Sequence, residues 1–241
     1  MASSADTRLA GRTALVAGAT GGIGGCIARR LAAGGAKTAL AGRDGARLAS
    51  LATELDGLAL VCDITDPRAV ATVASRLREA WGDGPDILVN AAGTFSLAPV
   101  AETSAEQFDG HLAVNLRGPF LMMRAFLPAM LARGSGHVVS IGSVAGRHAF
   151  PDNGAYSASK FGLRGLHAVL DQELRGTGVR STLVEPSATD TSIWAGIDRA
   201  AHPDLPGRER MLDVEAVADA VLFAVTRSSE TGIPTISVER S

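Results

Sequence analysis

The sequence predicts an α/β protein: one open, doubly wound parallel sheet with helices on both faces. Three observations carry this expectation. Short β-branched or leucine-rich runs recur along the chain, stretches with apolar residues three and four apart lie between them, and a glycine-rich turn follows the first run. Such alternation over nearly the full length implies parallel strands joined by right-handed helical crossovers. The 241 residues fit a single domain, 1–241, and no linker, repeat or low-complexity tract divides it.

In order, the expected strands are Thr13 to Ala17, Thr38 to Ala41, Leu58 to Val61, Ile87 to Val89, His137 to Ile141, Val179 to Val184 and Thr235 to Val238. Between them the spacing predicts helices over Ile23 to Ala33, Ala46 to Leu55, Pro67 to Trp81, Ala105 to Leu131, Ala155 to Leu174 and Val214 to Thr226. Cap residues agree with this register: Gly34 and Gly35 follow the first helix, Asp44 and Asp66 stand at N-cap positions, and Pro67 is a first helical residue. The stretch 187–213 has no clear period and contains Trp194, Pro203, Pro206 and the charged run Arg208, Glu209, Arg210. It reads either as a substrate lid over a cleft or as a plain surface excursion.

Composition narrows the function classes. Lysine and arginine number 23 against 25 acidic residues, a net charge of −2, which disfavours a nucleic-acid partner. Cys26 and Cys62 have no metal-type spacing, so neither a disulfide scaffold nor a structural zinc is expected. The N-terminal residues lack an apolar signal core and no run is long enough to span a membrane, so a soluble, cytoplasmic protein is expected.

The first strand runs into Gly18-Ala19-Thr20-Gly21-Gly22-Ile23-Gly24-Gly25 before a helix begins. In a doubly wound sheet such a turn lets backbone approach a pyrophosphate, and the helix behind it offers free N–H groups and about half a unit of positive charge. Gly18, Gly22, Ile23 and Gly24 are therefore candidate dinucleotide contacts. A phosphate-binding loop of the Gly-Lys-Ser/Thr kind is excluded, because no such triplet occurs. About 20 residues further on, where cofactor preference is set, the chain reads Ala41-Gly42-Arg43-Asp44. Arg43 suits a 2′-phosphate and Asp44 suits a helix cap, which favours NADP(H); Asp44 on the ribose would instead select NAD(H).

Tyr156, the chain's one tyrosine, lies four residues before Lys160 in a helical segment, so both share a face. An ammonium about 4 Å from a phenolate attracts it by roughly 4 kcal/mol at an effective dielectric of about 20. That attraction is expected to lower the phenol pKa by up to roughly three units, making Tyr156 a general acid or base near neutral pH. Ser143 follows the strand His137 to Ile141 at the sheet's carboxyl edge, where its hydroxyl can hold a substrate oxygen. It lacks the Gly-x-Ser-x-Gly elbow of a nucleophile. Asn115 interrupts a long helical stretch and needs a hydrogen-bonding partner, either structural or a water leading to the site.

The ordered set of Gly18, Gly22 and Gly24, then Asn90-Ala91-Ala92-Gly93, Asn115, Ser143 and Tyr156-x3-Lys160 resembles the short-chain dehydrogenase/reductase family over nearly the whole chain. The resemblance implies a Rossmann-type fold and a catalytic tetrad matching Asn115, Ser143, Tyr156 and Lys160. In it the tyrosine protonates a carbonyl oxygen as hydride leaves the nicotinamide, the lysine holds the nicotinamide ribose and lowers the tyrosine pKa, the serine orients the carbonyl, and the asparagine holds a relay water. It further implies cofactor roles for Asp63 near the adenine, Asn90 steadying the central strands, and Thr191 at the carboxamide. Arg43 is similar to the basic residue of NADP-preferring members.

Three positions depart from the family pattern: Ala17 stands where a threonine tying the loop to the asparagine motif is usual, Ala91 where a second asparagine is, and Ser187 where a glycine follows Pro186. They are expected to loosen cofactor binding before they affect chemistry. The functional expectation is thus an NADP(H)-dependent oxidoreductase acting on a ketone or secondary alcohol. An NAD(H) enzyme of the same mechanism and a catalytically idle dinucleotide sensor are the alternatives. Apolar residues on several faces of Ala155 to Leu174 predict a homodimer or homotetramer. Phe95, His148, Phe150 and Trp194 are expected at the cleft mouth, which suggests an apolar carbonyl substrate.

Overall fold

Seven runs of apolar residues form seven parallel strands in the computed structural model, which describes residues 8–200 and 202–241. They are β1 (Thr13–Ala17), β2 (Lys37–Gly42), β3 (Leu58–Val61), β4 (Ile87–Asn90), β5 (Gly136–Ile141), β6 (Val179–Pro186) and β7 (Thr235–Val238). The helices are α1 (Gly22–Ala33), α2 (Gly45–Leu55), α3 (Pro67–Trp81), α4 (Ala105–Leu112), α5 (Gly118–Arg133), α6 (Gly154–Glu173) and α7 (Val214–Val225). Each expected strand is present within two residues at either end. The sheet order is β3-β2-β1-β4-β5-β6-β7, so the chain reverses direction across the sheet between β1 and β4. That reversal opens a crevice at the carboxyl ends of the two central strands.

Both faces of the sheet are covered, which is why the strands read as continuous apolar runs. Alternate strand residues serve opposite layers: Leu15 and Ala17 pack towards α3, α5 and α6 with Leu77, Phe126 and Leu163, whereas Ala14 and Val16 pack towards α1, α2 and α7 with Ile27, Leu48 and Val221. Each such leucine, isoleucine or phenylalanine, almost fully buried, contributes about 1.5–3 kcal/mol. The expected caps are in place. Asp44 accepts from Arg47 N at 3.0 Å and Asp66 from Arg68 N at 2.9 Å, while Ser104 and Gln107 form a reciprocal capping box.

One element differs from its expectation. The single helix expected over Ala105 to Leu131 is two helices joined by a π turn, Ala113–Arg117, centred on Asn115. The turn admits one extra residue per repeat and so displaces the asparagine from the regular helical ladder. Among the described residues no helix is long and apolar enough to cross a membrane.

Candidate active site

The turn after β1 is built for close backbone approach. Gly18 has φ +86°, and a Cβ there would lie 2.4 Å from Ala92 N; a Cβ on Gly24 would lie 2.2 Å from Gly18 O, and one on Gly22 would lie 2.9 Å from Thr191 Cγ2. Gly21 caps α1 with no side-chain hydrogen bond and no acidic residue stands in the first turn, which leaves the helix's positive end open to an anion. A pyrophosphate of a dinucleotide fits this cradle. The hydroxyl absent at Ala17 is not needed to hold the turn, since Gly18 N donates to Ala41 O at 2.8 Å and Ala91 N to Ala17 O at 2.9 Å.

Arg43 and Asp63 line the same cavity from the ends of β2 and β3. Arg43 is exposed, whereas Asp44 beside it is engaged: one oxygen caps α2 and the other pairs with Arg47 Nε at 3.2 Å. Asp63 accepts from Thr65 N at 2.9 Å and Thr65 Oγ1 at 2.8 Å. Those two bonds, with a smaller effect from Arg43, hold its carboxyl below the usual aspartate range.

At the end of β5, Ser143 is extended and its Oγ accepts from Ala145 N at 3.1 Å, capping the short turn Val144–Gly146. A Cβ on Gly146 would lie 2.9 Å from Lys160 O, so this turn rests directly on α6. α6 presents Tyr156 and Lys160 to the cavity, one turn apart on one face as their spacing requires. Lys160 is buried and its Nζ donates to Ile141 O at 2.9 Å. Burial alone pushes its pKa down to about 8.

The phenol corrects an expectation. Burial pushes the Tyr156 pKa up, and only a hydrogen bond from Ser143 opposes it. The lysine does not lower it because Nζ turns to the Ile141 carbonyl and stands 5.6 Å from the ring centroid. Desolvation of the phenolate therefore prevails.

Of the sequence-predicted site residues, Gly18, Gly22, Ile23, Gly24, Arg43, Asp63, Ser143, Tyr156, Lys160 and Thr191 all line one cavity of about 930 Å³. Asn115 and Asn90 do not. Asn115 lies behind it, fully buried, with Oδ1 accepting from Thr94 N at 2.8 Å and Nδ2 donating to Thr94 O and Ser159 Oγ at 3.0 Å each. Ser159 Oγ in turn donates to Tyr156 O at 2.6 Å, so the amide ties the loop after β4 to α6. Asn90 is buried at the end of β4, and neither its amide oxygen nor its nitrogen has a hydrogen-bonding partner.

The sequence reading missed His111. It is buried on α4, its Nε2 lies 2.8 Å from Ser96 Oγ, and its ring meets that of Tyr156 edge-on at 6.0 Å. The available signal was its position four residues before Asn115. At the other end of the cavity, Phe95 stands edge-on to both Tyr156 (4.8 Å) and Trp194 (4.9 Å), and Phe150 and Leu205 add apolar surface. His148 is not part of this wall; its Nε2 faces Arg147 Nη1 at 2.7 Å instead. The stretch 187–213 contributes Trp194, anchored by Nε1 to Thr189 O at 2.9 Å, and His202, whose Nδ1 lies 3.4 Å from Asp152 Oδ2.

Comparison with known proteins gives concordant matches. The family model described as short chain dehydrogenase matches residues 12–201. An uncharacterized oxidoreductase of Staphylococcus aureus (strain MW2) is 33% identical over 235 residues, covering 96% of this chain and 98% of its own. Among solved structures, a metagenomic short-chain oxidoreductase in complex with NADP superposes with a TM-score of 0.83 at 34% identity, covering 97% of this chain and 99% of that one. The closed form of a serine dehydrogenase complexed with NADP+ gives a TM-score of 0.85 at 31% identity, covering 94% of each.

Proposed function

The chain belongs to the short-chain dehydrogenase family, and from that premise we propose that it is an NADP(H)-dependent oxidoreductase interconverting a ketone and a secondary alcohol. The observation that carries this reading is the convergence of Ser143, Tyr156 and Lys160 on a cavity whose other end is the glycine cradle. When bound, the nicotinamide supplies a hydride to the carbonyl carbon or accepts one from the alcohol. Tyr156 donates its phenolic proton to the carbonyl oxygen in reduction and takes it back in oxidation. Ser143 holds the same oxygen by its hydroxyl. Lys160, pushed to about 8, still carries its proton at neutral pH, and its ammonium at the cavity wall would hold the nicotinamide ribose. The raised phenol keeps Tyr156 protonated at neutral pH, which favours it as the acid of the reductive direction.

Residues that would hold the cofactor are Gly18, Gly22, Ile23 and Gly24 at the pyrophosphate, Asp63 near the adenine, and Thr191, Tyr156 and Lys160 at the nicotinamide end, with Asn90 behind the cavity steadying the central strands. Arg43 would read the 2′-phosphate. Two facts support NADP(H): Arg43 is exposed at the cavity while Asp44 is occupied as a cap, and similar structures hold NADP. Parallel titrations with NADPH and NADH, followed by nicotinamide fluorescence, test it. NADPH is expected to bind more tightly, and Arg43→Asp to reduce that preference at least tenfold, on the order of one charge-assisted bond. A variant that retains the preference refutes the cofactor assignment.

The Phe95, Trp194 and Phe150 wall supports an apolar carbonyl substrate, with 187–213 as its lid. A homodimer or homotetramer is also part of this proposal, because Phe120 on α5 and Phe161 and Val169 on α6 stand about half exposed. A monomeric mass by light scattering at micromolar concentration contradicts it.

A further inference from the structure

Glu185 sits near the carboxyl end of β6, inside the molecule, with 2% of its side chain exposed. Two arginines reach it from different directions. Arg164 Nη1, on α6 one turn beyond Lys160, lies 2.7 Å from each carboxylate oxygen, and Arg147 Nε lies 3.7 Å from Oε2. Arg147 ends the short turn that begins after Ser143, and its Nη2 also donates to Ser237 Oγ at 2.9 Å and to Glu239 at the end of the chain. On its other side Glu185 fills the space beside Gly142, where a Cβ would lie 3.3 Å from its Cγ. One carboxylate thus binds the helix of Tyr156 and Lys160 and faces the arginine that ends the Ser143 turn, which itself reaches the last strand.

We propose that Glu185 is a positioning residue for the reaction: through Arg164 and Arg147 it fixes the Ser143 turn against α6 and so sets the approach of the Ser143 and Tyr156 hydroxyls to one substrate oxygen. The proposal rests on the oxidoreductase reading above. A buried carboxylate is suited to this task because it accepts from Arg164 with both oxygens while its charge faces Arg147 Nε, which lies 3.7 Å away and has no hydrogen-bond partner of its own; neither arginine has another carboxylate placed to join the two elements. Sub-ångström placement matters here, since a misplacement of about 1 Å costs on the order of a hundredfold in rate.

Tyr156 being the chain's one tyrosine, its ionisation is read directly from the ultraviolet absorbance of tyrosinate, with no substrate or cofactor present. The test compares wild type, Glu185→Gln, Arg164→Met and the double variant by this titration, by kcat and KM, and by thermal midpoint. In Glu185→Gln and in Arg164→Met, kcat is expected to fall about tenfold or more with KM within about twofold. The tyrosinate midpoint is expected to move down towards the ordinary value of about 10 as water reaches the phenol. The double variant is expected to match the worse single variant in both respects. Unchanged kcat and midpoint, with only the thermal midpoint lowered, would overturn the proposal and leave Glu185 a structural ion pair. So would a double variant that regains the wild-type midpoint, because that marks a plain charge effect. If wild type reduces no carbonyl compound, the oxidoreductase reading fails, while the tyrosinate titration still decides whether Glu185 shapes the environment of Tyr156.

Discussion

The two ends of the one sheet treat polar side chains in opposite ways. At the amino end, arginines bind the chain's own carbonyls: Arg12 Nη1 donates to Val225 O at 3.1 Å, Arg180 Nη1 to Ser228 O at 2.9 Å, and Arg133 to Gly84 O, Pro85 O and Asp83. At the carboxyl end, Ser143, Tyr156, Lys160 and Arg43 border a cavity and keep hydrogen-bonding capacity directed into it. A parallel sheet aligns all its strand ends, so it has one end where loops can be closed off and another where they can be opened. Here the first is closed by the chain's own hydrogen bonds, and the second holds the cavity to which the proposed chemistry is assigned.

That division is sharpest at Tyr156. Tyr156→Phe removes one hydroxyl at the carboxyl end and is expected to lower kcat by about a thousandfold, leaving NADPH affinity and thermal midpoint nearly unchanged. A thermal midpoint that fell with the rate would break the division.

Acid is expected to act on the other function. His137, near the start of β5, and His167, inside α6, are buried and pushed down by desolvation to about 3 and about 4 respectively. An unfolded histidine titrates near 6.5. Above that value both states are neutral and stability is complete; below it the unfolded chain takes up protons that the folded chain refuses. Stability therefore falls as pH drops from about 6.5 towards 4, by up to about 2 kcal/mol for each histidine by pH 5. Urea midpoints at about pH 7.5 and pH 5 read this loss, and His167→Phe should reduce it.

Arg133→Met probes the amino end in the manner of the tyrosine variant. It leaves four acceptors, Ser135 O among them, without their donor and is expected to cost about 2 kcal/mol in urea denaturation with kcat unchanged. The smallest effect concerns the boundary between the two ends. Ala17 stands beside Asn90 in the register of β1 and β4, on the same face of the sheet. Ala17→Thr would offer a hydroxyl to the unpartnered Asn90 amide and is expected to add about 1 kcal/mol. A loss of stability instead would mean that no room exists there.

The strands were legible because burial on both faces writes itself as unbroken apolar runs, and the glycine cradle because close backbone approach excludes a Cβ. Residues that act through direction rather than type were harder to read. Helical spacing places Lys160 on the face of Tyr156, but it does not say that a long side chain will turn to the Ile141 carbonyl, and the expected fall in the phenol pKa failed for that reason. His148 was expected at the cavity and is turned aside by Arg147. Glu185 carries no signal in the sequence, since the two arginines that give it meaning are 21 and 38 residues away in the chain. Of the π turn the sequence showed only Asn115 interrupting a long helical stretch, because a polar residue there signals a buried partner but not a change of helical winding.

That turn also sets a rotational phase. Each residue of a regular helix advances the side chains by about 100°, so a local widening by one residue makes α4 and α5 run as two cylinders offset by roughly a quarter of a revolution. His111 and Asn115 face Thr94, Ser96 and Tyr156 on one side of that offset, while Met122 and Phe126 face the core on the other. Deleting a single residue within 113–117 would keep both helices and their composition, yet swing one set of side chains away from its partners. The segment therefore works as an indexing joint, by which one residue decides which stripe of a helix looks at the chemistry.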